Sequence, residues 1–173
     1  MPRSLGNVIA DSLQTSIGYA EKLLKNVPAE RFARFACPGG VAIESNHPAF
    51  IYGHLSLYAP KILLQIGHPA PGVPDGFELV FSKGATCVDD EEGDLYPAMD
   101  VIVNYFLEGH RMLIGALRST PDATFDQPNP AEGPMKDRFP TIGSVQVFYC
   151  GGHMMMHLGQ MSGWRRMEQL GAA

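Results

Sequence analysis

The chain lacks a long apolar run. No stretch of its 173 residues approaches the ~20 apolar residues that a membrane-spanning helix needs. Residues 1–13 also lack the apolar centre of a signal peptide. We therefore expect a soluble, cytoplasmic protein with no membrane partner.

An excess of basic residues is also missing. The sequence has 13 Lys and Arg against 18 Asp and Glu, a formal net charge of -5, and Arg165-Arg166 is its only adjacent basic pair. Proteins that bind a phosphate backbone normally present a basic patch. This balance excludes nucleic acid as an expected ligand.

Cysteines in a paired arrangement are absent as well. Cys37, Cys87 and Cys150 are an odd number and show no CxxC spacing, so we interpret them as reduced thiols of an intracellular protein. Charged residues make up 18% of the chain, which is below the usual ~25%. A low charged fraction favours a surface that is partly covered by a second subunit.

Four amphipathic segments alternate with long loops that are rich in proline and glycine. Apolar residues recur every three or four positions in each segment, which is the pattern of one buried helical stripe. The predicted helices cover residues 3–25, 45–67, 96–117 and 141–170. Ser45 or Asn46 is expected to cap the second helix and Thr141 the fourth. The sequence predicts an all-α fold, a four-helix bundle with long inter-helix loops that forms a single domain over residues 1–173.

Two histidines on the fourth predicted helix are the main candidates for chemistry. Residues four apart share a helix face, with roughly 5–6 Å between Cβ atoms, so His153 and His157 can bind one metal ion. The other interpretation is a pair of hydrogen-bonded core histidines. The same helix face carries further polar residues, namely Gln146, Cys150, Gln160 and Trp164. Buried polar groups need partners, so this face is predicted to line a polar pocket.

Three glycines on this helix are a second unusual feature. Gly151, Gly152 and Gly159 each cost about 0.8–1.0 kcal/mol of helix stability relative to alanine. Either a ligand or another element approaches the helix closely there, or the helices simply pack tightly. The sequence leaves both interpretations open.

A catalytic zinc-type site normally takes three protein ligands. His54 is the best third candidate, because it lies mid-helix among apolar neighbours. His47 is two turns away, about 10 Å along the axis, and a capping role is predicted for it. His110 could be a fourth ligand, a partner of a ligand or a buried neutral histidine, and His68 in a loop is expected to be solvated.

The run Asn46-His47-Pro48, the run Tyr52-Gly53-His54-Leu55, and the late pattern His153-x-x-x-His157-x-Gly159-Gln160 together resemble the DinB-like family of metal-binding four-helix proteins. The resemblance spans most of the chain in helix order and spacing. It implies a divalent metal ion held by His54, His153 and His157. It also implies a thiol-dependent transferase or isomerase, and a homodimer.

Met154 stands where a zincin-type HExxH motif has its glutamate base. A neutral three-histidine site with an open position can instead bind a thiol, lower its pKa and hold the thiolate as a nucleophile. The resemblance likewise implies transfer of a low-molecular-weight thiol to a small electrophilic substrate. Hydrolysis by metal-activated water is the other reaction considered. Gln160 and Tyr58 are the candidate catalytic residues that would orient the substrate.

Imidazole ligands suit zinc, nickel, copper and iron alike, and zinc or nickel is the expected cofactor. A non-catalytic alternative is a metal-stabilised bundle that binds a small ligand or a protein. A closed site with a fourth ligand such as His110 would favour that alternative. The third possibility is a bundle with the same fold whose site has lost its function.

Overall fold

The computed structural model describes residues 4–172, and within that range the chain forms helices, turns and loops without a β-strand. The all-α prediction is therefore confirmed. The helices are α1 (Leu5–Leu23), α2 (Pro48–Ser56), α3 (Tyr58–Gln65), α4 (Phe77–Phe81), α5 (Met99–Ser119), α6 (Asp122–Phe125), α7 (Pro134–Arg138), α8 (Ile142–Val147) and α9 (Met154–Met167). A π-helical segment, Phe148–His153, joins α8 to α9, and short 3-10 turns lie at Ala29–Arg31 and Pro38–Gly40.

The four long helical regions pack as a bundle around one apolar core. Helices α1 and α2 each pack against both α5 and α9. This arrangement places the inner faces of α2 and α9 together, and both faces carry histidines. None of the described helices has the length and apolar character to cross a membrane.

The first helix begins after Ser4, whose hydroxyl accepts a hydrogen bond from the Asn7 amide at 3.2 Å. Its predicted start at Arg3 lies outside the described residues. Leu13 and Ile17, which follow the three-and-four apolar spacing of this segment, are buried, but Val8, which follows the same spacing, is 49% exposed. Three-and-four spacing defines the centre of a helix face better than its margins.

The second predicted helix is broken into α2 and α3 at Leu57. Pro60 explains the break, because it has no amide hydrogen and its ring clashes with the carbonyl four residues earlier. The predicted cap was wrong as well. The side chain that caps α2 is that of His47, whose Nδ1 accepts from the Phe50 amide at 3.2 Å, so the capping role predicted for this histidine is confirmed.

The fourth predicted helix is not continuous. Thr141 caps α8 as expected, in a reciprocal pair with Ser144, but the chain then passes through the π-helical segment before α9 begins. Gly151 lies in this segment, and a Cβ there would be 3.2 Å from Oγ of Ser12 on α1. Close helix packing therefore accounts for Gly151. No atom lies within 4 Å of the corresponding position at Gly159.

The two long loops carry short helices whose phenylalanines join the bundle core. The loop after α3 contains α4, and the loop after α5 contains α6 and α7. The carboxylate of Asp90 accepts hydrogen bonds from four successive backbone amides, of residues 93–96, at 2.9–3.2 Å. This buried carboxylate gives the loop before α5 a defined shape.

Candidate metal centre

Three histidines from two helical regions meet inside the bundle. His54 lies on α2, His153 ends the π-helical segment and His157 lies on α9. One potential ligand atom from each histidine lies within 4.8 Å of those of the other two. The side chains are 7%, 7% and 9% exposed, respectively. The structure thus brings together the three residues predicted from the sequence.

His54 is oriented by a backbone carbonyl. Its Nδ1 lies 2.8 Å from the carbonyl oxygen of Phe81, and a carbonyl oxygen can only accept, so Nδ1 carries the proton. Nε2 is therefore the nitrogen with a lone pair for a ligand role, and the Tyr58 hydroxyl lies 3.4 Å from it. Phe81 can reach this position because Gly53 has no side chain: a Cβ there would be 2.5 Å from the Phe81 ring.

His157 is oriented by a side-chain amide. Its Nδ1 lies 3.0 Å from Oε1 of Gln160, and Nδ2 of Asn46 donates to the same oxygen at 3.1 Å. These contacts keep the proton on Nδ1 of His157 and leave Nε2 free. Gln160 does not line the cavity described below. The catalytic role assigned to Gln160 stays a prediction, and its contacts are those of a residue that positions a ligand.

His153 has no such partner. Among the described residues, nothing hydrogen-bonds to its buried Nδ1. Burial, then the neighbouring His157 and His54, lowers the pKa of His153 to about 3. A buried nitrogen without a partner is unusual in a folded protein, and it is the observation that indicates a missing ligand.

The cluster is electrically neutral at neutral pH. Burial, as the largest cause in each case, also lowers the pKa values of His54 and His157. Neutral imidazoles are the form that binds a metal, and no fourth histidine, cysteine or carboxylate within residues 4–172 belongs to the cluster. The residues therefore fit a divalent metal ion held by three ligands with one position left open.

The sequence model of the DinB superfamily matches residues 12–161. The chain belongs to the DinB superfamily. This confirms the resemblance found in the sequence, and the family is metal-associated. A comparison with curated proteins gives no match.

In this DinB-superfamily chain the histidine cluster opens into a cavity of about 600 Å³. Aromatic rings form much of the wall next to the cluster. Tyr58 is the nearest: its ring lies 4.5 Å from that of His153, and its hydroxyl lies 3.4 Å from Nε2 of His54. Burial raises the pKa of Tyr58 to about 12, so its hydroxyl stays protonated and can donate a hydrogen bond. This contact agrees with the substrate-orienting role predicted for Tyr58, which stays a prediction.

Several residues of the cavity wall were missed in the sequence, and two of them carry a reactive or charged group. Lys83 and Cys87 both line it, from the loop that follows α4. Burial raises the pKa of the Cys87 thiol to about 11, so it remains a thiol at neutral pH. The only sequence signal for either residue was the length of the loop between α3 and α5.

The remaining histidines lie outside the cluster. His47, besides capping α2, donates from Nε2 to the Val88 carbonyl at 2.9 Å. His110 donates from Nδ1 to the Phe106 carbonyl at 2.7 Å and is 2% exposed, so it is the buried neutral histidine among the three interpretations. His68, expected to be solvated, instead contacts Oγ1 of Thr120 at 3.1 Å. Cys150, one turn before His153, is buried in the apolar core.

Proposed function

We propose that the protein is a metal-dependent enzyme that activates a low-molecular-weight thiol, or water, for transfer to a small electrophilic substrate. The observation that carries the proposal is the three-histidine cluster with an unpartnered buried nitrogen, opening into a cavity. Zinc or nickel is the proposed cofactor. Membership of the DinB superfamily supports the metal.

A divalent ion bound by three neutral imidazoles supplies one chemical effect, which is a lower pKa for the thiol or water that takes the open position. The chain's own residues do the rest. His54 and His157 are held by hydrogen bonds at Nδ1. The Tyr58 hydroxyl, which lies 3.4 Å from Nε2 of His54, would turn to donate a hydrogen bond to the substrate. The rings of Tyr58, Phe148 and Tyr149 supply an apolar wall beside the cluster.

The composition of the cavity wall favours a thiol over water as the nucleophile. No aspartate or glutamate lines the cavity, and the position of the zincin glutamate is held by Met154, whose side chain is buried in the core. Water activation gains from a nearby carboxylate base. A thiol needs less help, because its pKa is closer to neutral than that of water.

The competing proposal is a metal-stabilised bundle that binds a ligand or a partner without catalysis. A purely structural zinc site normally has four protein ligands. The cluster has three, and His110, the candidate for a fourth, points its Nδ1 at the Phe106 carbonyl on its own helix. The open position therefore supports the enzyme. We place its activity in the cytoplasm, because Cys37, Cys87 and Cys150 are free thiols.

The metal content of tag-free protein after dialysis tests whether the three histidines bind a metal ion. We expect a stoichiometric divalent ion in the wild type and its loss in His54→Ala and His153→Ala. His68→Ala is the matched control, since His68 lies outside the cluster, and it should keep the metal. Wild-type protein that stays metal-free after incubation with zinc or nickel would overturn the proposal.

The second test distinguishes the enzyme from a metal-stabilised bundle that binds a ligand without catalysis. Cobalt-loaded protein should change its visible absorption when 2-mercaptoethanol is added, because a thiol at the open position alters the ligand set. The loaded protein should also transfer that thiol to 1-chloro-2,4-dinitrobenzene faster than His153→Ala does. A stoichiometric metal with neither effect would favour the non-catalytic alternative.

A further inference from the structure

Lys83 is the one residue with a permanent charge among those that line the cavity. It follows α4 in the loop that also contributes Ser82 and Thr86 to the wall, and it is exposed. Among the described residues, no carboxylate forms an ion pair with Lys83. Its ammonium group is therefore available to a ligand in the cavity.

The cavity is deficient in negative charge, although the whole chain has a net charge of -5. No aspartate or glutamate lines the wall. The proposed divalent ion would add two positive charges to that of Lys83. Since a partly enclosed, uncompensated positive site attracts anions, the missing negative charge would come from what binds there.

Much of the remaining wall is apolar. The rings of Tyr58 and Tyr149 lie 4.9 Å apart, and the Phe148 ring lies 5.7 Å from that of His153. Met135 and Met156 also line the cavity. Binding is favoured when such a surface covers an apolar part of the ligand.

We propose that the electrophilic substrate is a carboxylate with an apolar body, whose carboxylate pairs with Lys83 while the body packs against Tyr58, Phe148 and Tyr149. This inference rests on the proposed function in one respect, which is that the cavity is where the substrate binds. It adds the substrate class and a specificity-determining residue. The pairing with Lys83 requires no metal, so it can be tested separately.

A matched pair of probes provides the test. 3-Phenylpropanoate and 3-phenylpropanamide share one apolar body and differ in charge, and their dissociation constants are measured by calorimetry or NMR titration against metal-free and zinc-loaded protein. We expect metal-free wild-type protein to bind the carboxylate about threefold to fivefold more tightly than the amide, the scale of one exposed ion pair. The preference should weaken with added salt.

Two lysine variants make the test specific. Lys83→Met should abolish the carboxylate preference of metal-free protein and leave amide binding unchanged. Lys22→Met is the control, since Lys22 is exposed on α1 and does not line this cavity, and it should retain the preference. Equal affinity of metal-free wild type for the two probes, a preference that survives in Lys83→Met, or failure of both probes to bind would each overturn the inference.

The metal-free arm also keeps the two proposals distinguishable. If zinc fails to bind, the proposed metalloenzyme fails while the effect of Lys83 can still be observed. If zinc binds and the carboxylate preference appears only in the zinc-loaded protein, equally in wild type and Lys83→Met, the metal alone recognises the anion. That result would overturn the role of Lys83 and leave the metal centre intact.

Discussion

The three histidines of the cluster differ in the hydrogen-bond partner of their Nδ1 atom. His54 is held by the Phe81 carbonyl and His157 by the Gln160 amide, whereas Nδ1 of His153 has no partner among residues 4–172. Partners of this kind fix the tautomer and the ring orientation of a metal ligand. The consequences of mutation should therefore differ between residues that bind the metal and residues that only orient its ligands.

Gln160→Ala should weaken zinc binding without abolishing it. The substitution removes the acceptor for Nδ1 of His157, and loss of such a partner typically costs about 10-fold to 100-fold in metal affinity. Competition with a chromogenic zinc chelator measures the change. Gln160→Glu, which keeps an oxygen acceptor at this position, should stay within a few-fold of wild type. Equal affinity of the alanine variant and the wild type would show that Gln160 does not position His157.

The three histidines of the cluster could be selected from the sequence because they follow short-range rules. His153 and His157 are four residues apart, and His54 occupies the middle of an apolar segment. Lys83 and Cys87 could not be predicted in the same way. They reach the cavity from a loop that is held by long-range contacts, such as that of Phe81 with Gly53, which no periodic pattern in the loop encodes.

At the scale of helices, both interruptions of the predicted helices lie beside the histidine cluster. The break at Leu57 is next to Tyr58, and the π-helical segment ends at His153. Pro60 was visible in the sequence as the cause of the first break. The π-helical segment was not, because an amphipathic pattern read at one fixed angle per residue does not register an inserted residue. Irregular helix geometry of this kind is frequent at functional sites.

Gly53→Ala should destabilise the fold and disturb the metal centre together. An added Cβ would overlap the Phe81 ring, so α4 must move and its hydrogen bond to His54 is lost. Overpacking of this kind costs about 1–3 kcal/mol, measurable by urea unfolding, and zinc affinity should fall as well.

Gly115→Ala is the matched control for this substitution. Gly115 lies within α5, and no atom lies within 4 Å of the added Cβ. This substitution should leave the free energy of unfolding unchanged or raise it by about 0.5–1 kcal/mol. A Gly53→Ala variant as stable as this control would contradict the proposal that Gly53 makes room for the Phe81 ring of α4.

For the whole molecule, we propose that two chains associate. Few residues are charged, and large apolar side chains such as Leu64, Leu79 and Val147 are more than half exposed. Sedimentation velocity should give the mass of a dimer at micromolar concentrations. A single species with the mass of one chain, 18.8 kDa, would contradict this prediction.

Stability of the whole molecule should fall in mild acid because of histidines that fold in the neutral form. Burial lowers the pKa values of His47 and His110 to about 4, against about 6.5 for an unfolded histidine. The unfolded chain therefore binds more protons below pH 6.5. The stabilisation is complete above about pH 6.5 and is lost progressively as the pH falls towards 4.

His110→Leu isolates this effect, since His110 lies outside the metal cluster and its Nδ1 bonds only within its own helix. Between pH 7 and pH 5, metal-free wild type should lose about 2 kcal/mol more unfolding free energy than the variant, the amount that follows from a pKa change from about 6.5 to about 4. Urea unfolding at a series of pH values measures it. Parallel curves for the two proteins would mean that the pKa of His110 is the same in the folded and unfolded states, which would contradict the prediction.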